Sequence, residues 1–180
     1  MSLIVAETLL MLWSLLFWPP PVELLEKERH VITISRELAR PVLARCDFTL
    51  APDDPVFLPA KTSTMTLYFF TARQGVKAED VIQAFMAYDP SLRAATVIEV
   101  LVYLPEKIPP DLPPIAALGA FRHHDPNDLR NPKNKFYPVI DARSGDVSPY
   151  CPVWSYGLEF FWEEFKENGE LVTWFSAVGR

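Results

Sequence analysis

Apolar positions along this chain recur in runs, in alternation and at helical spacing. The clearest block is Thr64–Leu104. Met65-Thr66-Leu67-Tyr68-Phe69-Phe70-Thr71 is dense in aromatic and β-branched residues and carries apolar groups on both faces, the mark of a buried strand. Gln74-Gly75 breaks it. Ala78, Val81, Ile82, Phe85 and Met86 then fall on one helical stripe. Glu79 and Asp80 lie at the positive end of that helix's dipole, and Asp89-Pro90 stops it. Ala95–Leu104 is almost uninterrupted in its apolar character and reads as a second strand, buried on both faces. The connection is long enough for a parallel, right-handed crossover. The pattern therefore predicts a central strand-helix-strand unit over residues 64–104.

Ser2–Trp18 is apolar all round and is closed by Pro19-Pro20-Pro21. A helix of this kind must bury its surface in something. The reading divides the chain into an apolar N-terminal helix and proline break over 1–21 and a single domain over 22–180. No basic n-region and no small-residue cleavage site accompany the stretch, which argues against a secretory signal. About 17 residues at 1.5 Å rise span roughly 25 Å, short of the ~30 Å hydrocarbon core, and Glu7 lies inside. Packing in the core or against a partner is thus expected before membrane insertion through residues 3–18. An inserted helix, followed by Lys27 and Arg29, would leave the domain on the cytoplasmic side.

The remaining segments are shorter. Glu23–Arg29 reads as a charged linker and Val31–Ser35 as a strand. Val42, Ala44, Cys46, Phe48 and Leu50 alternate with polar residues, predicting a half-buried strand over Val42–Leu50. Asp53 and Asp54, between prolines, are turn chemistry. Pro105–Pro114 is a proline-rich rigid connector, and Ile115–Phe121 adds an apolar helical turn. Phe136–Asp141 is a strand, Ala142–Asp146 a hairpin loop, and Val147–Trp154 a proline-interrupted edge strand. Helical spacing predicts a helix over Tyr156–Lys166, with a hairpin at Asn168-Gly169 as the alternative. Leu171–Val178 is the final strand. The sum is an α+β fold: one mixed sheet, with helix Lys77–Tyr88 on one face.

Composition narrows the function classes. The net charge of −6 argues against a nucleic-acid partner, which calls for a basic face. Cys46 and Cys151, the only two cysteines, read as separate buried thiols in a reducing, cytoplasmic setting. Only 6 glycines are present, and no phosphate-cradling loop, nucleophile elbow or paired metal motif occurs. The one chemical cluster is His123-His124-Asp125 with Asp128. Imidazole and carboxylate suit a divalent metal, which gives a metal-dependent hydrolase as the alternative function. Adjacent histidines in extended chain point to opposite sides, so a solvated loop is the simpler reading. No cofactor is expected.

The aromatic excess is a stronger signal. Tyr150, Trp154, Tyr156, Phe160, Phe161, Trp162, Phe165, Trp174 and Phe175 crowd the last thirty or so residues, and Trp and Tyr are enriched at interface hot spots. The sequence therefore predicts a non-enzymatic interaction component, a subunit or an accessory or antagonist protein of a larger assembly. Its contact residues would be Leu9, Leu12, Trp13, Leu16, Phe17 and Trp18, and its partner another protein or a second copy. A membrane-anchored accessory protein is a further alternative.

Overall fold

The computed structural model describes residues 22–45, 59–73, 76–104, 112–120, 122–123, 135–140, 153–156, 166, 168–170 and 172–179. In chain order the elements are β1 (Leu24–Ile34), α1 (Arg36–Arg45), β2 (Ser63–Ala72), α2 (Ala78–Tyr88), β3 (Arg93–Ala94), α3 (Val97–Tyr103), β4 (Ile115–Ala116), β5 (Arg122–His123), β6 (Lys135–Ile140), β7 (Val153–Tyr156) and β8 (Trp174–Gly179). The strands form one mixed sheet in the order β1-β2-β8-β4-β6-β5, with β3 also pairing β8 and β7 also pairing β6. The β4–β8 ladder is parallel, and the other described ladders are antiparallel. The architecture is α+β, as the residue pattern predicts.

Strand period and pleat divide the core into two layers. Leu67, Phe69, Val178, Ile115 and Ile140 face one side, where Ala39 of α1 and Val97, Ile98, Val100 and Leu101 of α3 cover them. Phe70, Ala72, Phe175, Ala177, Ala116, Tyr137 and Val139 face the other side, where Ala78, Val81 and Phe85 of α2 cover them. Phe85 is fully buried and its ring lies 5.4 Å from that of Phe70. Of the expected stripe on α2, Ala78, Val81 and Phe85 are buried and Ile82 is partly buried, whereas Met86 is exposed; the helix ends at Tyr88, before Asp89-Pro90.

Four expectations need correction. Ala95–Leu104 is not a strand: two residues, Arg93–Ala94, form β3, and Val97–Tyr103 is the helix α3. A short, wholly buried helix and a buried strand show the same continuous apolar run, so periodicity does not separate them. A capping box decides the matter. The Thr96 amide donates to Glu99 Oε2 at 2.7 Å, and the Glu99 amide donates to Thr96 Oγ1 at 3.4 Å. Val42–Leu50 is likewise not a strand over its described part, because α1 runs through Pro41 to Arg45. Its start is fixed at Ser35, whose Oγ accepts from the Leu38 amide at 3.2 Å. The expected linker Glu23–Arg29 is, from Leu24 on, the first half of β1, and Ile115–Ala116 is a strand rather than a helical turn.

The crossover of the central unit survives in altered form. Val178 of β8 pairs with Leu67 of β2 on one side and Arg93 of β3 on the other. Strands β2 and β3 are therefore parallel, but β3 is not the strand expected at Ala95–Leu104, and β8 lies between the two. Gly119 completes this junction. Its amide donates to Ala95 O at 2.8 Å, and a Cβ there would lie 2.5 Å from Ala94 O.

Near the C-terminus, the Gly169 amide donates to Lys166 O at 2.9 Å and the Lys166 amide to Glu170 O at 2.7 Å, with Gly169 at φ +77°. This is a hairpin-type turn with glycine in the left-handed position. The helix expected over Tyr156–Lys166 lies mostly outside the described residues; Tyr156 itself belongs to β7. The N-terminal segment 1–21, Cys46, Cys151 and the loop at Ala142–Asp146 also lie outside them.

Phe85→Ala should cost about 3–5 kcal/mol in urea unfolding. A loss below about 1 kcal/mol would contradict burial of the α2 stripe. Gly119→Ala should cost at least about 2 kcal/mol, because the new methyl meets backbone that cannot swing aside.

Candidate interaction surface

The residues singled out from sequence are not gathered by the described fold. Leu9, Leu12, Trp13, Leu16, Phe17 and Trp18 lie outside the described residues, as do His124, Asp125 and Asp128. The backbone of His123 pairs with Lys135 in the β5–β6 ladder. Among the described residues no three His, Cys, Asp or Glu side chains converge on a metal-sized site. No described helix is long and apolar enough to cross a membrane. Of the C-terminal aromatics, Phe175 is core and Trp174 is partly buried against the same layer as α3. Those two stabilise the sheet rather than an outer surface.

The surface that does emerge is built on β1, which begins the hydrogen-bonding order of the sheet. Its register with β2 slips between Glu26 and Glu28, which pair with Phe70 and Phe69. The extra residue, Lys27, forms a β-bulge. In an unbroken strand Glu26 and Arg29 would point to opposite faces. Here the bulge brings both to the α2 side, opposite Phe70 and Tyr68. Arg29 Nε and Nη2 donate to the Glu26 carboxylate at 2.6 and 2.9 Å, and the Tyr88 hydroxyl donates to it at 2.7 Å. The guanidinium also stands 5.3 Å from the centre of the Tyr68 ring, within cation–π range. Lys27 meets Glu170 at 2.5 Å and so ties the bulge to the turn ahead of β8.

On the opposite face, His30 Nε2 lies 3.0 Å from Glu28 Oε2 and 2.9 Å from the Tyr103 hydroxyl. The His30 and Tyr103 rings stack at 4.4 Å, and Tyr103 and Trp174 both flank Phe69. Trp174 Nε1 is the one buried side-chain polar atom without a hydrogen-bond partner among the described residues. At β1, Val31 is 75% exposed and Tyr88, which bonds Glu26, is 49% exposed. The edge thus alternates paired charges with exposed apolar and aromatic groups, a composition met at interfaces.

The charges act on one another. The bond from Arg29, and next to it that from Tyr88, hold the Glu26 carboxyl below its ordinary value, against the opposing effect of burial. The bond to Glu26 pushes the Tyr88 phenol up. Burial, then the Glu28 charge, pushes the Tyr103 phenol up. Lys27 lowers Glu170 in the same way as Arg29 lowers Glu26. Burial, then the charge of Glu79 on α2, raises Tyr137 of β6 strongly; the Tyr137 hydroxyl donates to Glu79 Oε1 at 3.3 Å.

Sequence reading missed this constellation. Glu26-Lys27-Glu28-Arg29 looks like a solvated run, and nothing local announces a bulge. Tyr88 and Tyr103 reach β1 from 62 and 73 residues away. No family model, no curated protein and no solved structure matches this chain.

Glu26 and Glu170 both have folded values depressed below the ordinary 4.5. A depressed carboxylate stabilises above its unfolded value and loses that contribution as pH falls through the folded one. The melting temperature should therefore drop between about pH 5 and pH 3. The double variant Glu26→Gln, Glu170→Gln should melt lower at neutral pH and show a shallower acid slope, measured by differential scanning calorimetry.

Proposed function

We propose that this chain is a non-enzymatic interaction component of a larger assembly. It docks through the apolar segment bearing Leu9, Leu12, Trp13, Leu16, Phe17 and Trp18. The supporting observation is where that segment joins the domain. Val22 and Leu24 pack against the α2-side cluster, and Leu24 opens β1, the strand that carries exposed Val31 and is met by Tyr88 at Glu26. The apolar stretch and its proline break thus precede, in the chain, the strand that begins the sheet order. Isolated proteins rarely expose apolar patches beyond a few hundred Å². A protein partner or a second copy of the chain is the occupant this reading requires.

Removal of residues 1–21 tests it. The remaining domain is expected to keep its cooperative melting transition and gain solubility. It should lose its oligomeric state by light scattering, or its partner in a pull-down from native extract. Loss of the melting transition on truncation would make the segment part of the core and refute the docking role.

A further inference from the structure

A cleft of about 950 Å³ opens where β8 ends and β2 and β3 begin. Its wall is formed by Lys61, Ser63, Met65, Ser91, Arg93 and Val178, among others, and no Asp or Glu lines it among the described residues. In a chain with 17 basic and 23 acidic residues, a pocket with two cations and no acid is contrary to composition. Arg93 is also fixed in place. Its Nη1 donates to Ala94 O at 3.1 Å and to Glu99 Oε2 at 3.0 Å, and its Nη2 donates to Glu99 Oε1 at 2.5 Å. Glu99 is only 5% exposed, whereas the Arg93 side chain is 55% exposed. A guanidinium carries five N–H donors. The three bonds above leave the Nε–H and one Nη2–H on a fork that is already immobilised.

The rim is equally fixed. Asp89 Oδ1 accepts from the Ser91 amide at 2.8 Å, and the Leu92 amide donates to Asp89 O at 2.9 Å, closing a tight turn with Pro90 inside. The Asp89 carboxyl is thereby committed to that turn, and the Ser91 amide holds it below its ordinary value.

We propose that this cleft is a binding site for a small organic anion, whose oxyanion head is taken by Arg93 and Lys61 and whose apolar body lies along Met65 and Val178. The site is separate from the interaction role of the N-terminal segment and does not rest on it. A held guanidinium suits carboxylate and phosphate alike, because both accept two parallel N–H bonds. The volume is far larger than a bare ion needs and falls in the range of metabolite pockets.

Full-length protein titrated with hexanoate, hexyl phosphate and inorganic phosphate, followed by amide shifts in NMR, tests this directly. One of the two hexyl probes is expected to bind in the millimolar range or tighter and to move the Ser91 and Gly179 amides; the tighter of the two identifies the head group. Inorganic phosphate should bind about 10-fold more weakly, since it lacks the buried body. Lys61→Gln and Ser91→Glu alter exposed side chains. The first should weaken binding about 3- to 10-fold, and the second should abolish it. Arg93→Lys, if it folds, should also lose binding while keeping its charge. Absence of binding by both hexyl probes would overturn the proposal. So would inorganic phosphate binding as tightly as either, or affinity unchanged in both Lys61→Gln and Ser91→Glu.

Discussion

The sheet depends on its last strand. β8 is made from the final described residues, yet it pairs with β2 along one edge and with β3 and β4 along the other. Phe175 and Ala177 supply the floor under α2, and Val178 supplies the floor under α3. The buried Ser176 hydroxyl donates to Ala116 O at 3.1 Å, so even its polar side chain stitches β8 to β4. Pairings such as Phe70 with Phe175 bridge most of the chain. Such contacts repay loop-closure entropy only late in folding. The two parallel strands of the central unit, β2 and β3, are joined only through β8, which lies between them.

That dependence explains which parts of the fold were legible. β2, α2, β6 and β8 carry strong local signals: aromatic and β-branched density, a helical stripe, a proline stop. Their tertiary setting agrees with those signals. α3 was misread because burial on all sides erases periodicity. The local sign was present in Thr96-Val97-Ile98-Glu99, a capping-box spelling that outweighs the β-branched run behind it. α1 was misread for the opposite reason. Pro41 and an accidental alternation spoke against helix, while Ser35 and Glu37 marked a helix start. The candidate surface was not legible at all. Its partners come from α2, α3 and the turn before β8, and a single bulge residue sets their facing.

An outer strand exposes unpaired backbone and invites uncontrolled pairing, and bulges and lysines are common defences. Here the bulge residue, Lys27, also reverses the side-chain phase. Glu26 joins Arg29, Tyr68 and Tyr88 on one face, while Glu28 joins His30 and Tyr103 on the other. One inserted residue thus sorts four consecutive charged side chains into three separate partnerships, counting Lys27 with Glu170. Were Lys27 a regular strand residue instead of a bulge, Glu26 would share a face with Glu28, and like charges would crowd the His30 side.

Arg93 and Glu99 show how a structural need can leave a chemical opportunity. A helix cap at Glu99 requires only one acceptor for the Thr96 amide, and a neutral glutamine would serve. A carboxylate in that buried position carries a desolvation cost of several kcal/mol unless a counter-charge is held against it. Arg93 answers that demand with two parallel bonds, and lysine would not, because a single ammonium cannot match both oxygens. The consequence is a guanidinium whose inner side is locked to the core while the side chain stays more than half exposed, on the wall of a cleft that no Asp or Glu lines among the described residues. Ordering a long cationic side chain normally opposes ligand binding through lost rotamer entropy. Folding has already fixed this one, so an anion arriving at the cleft meets donors that need no further ordering.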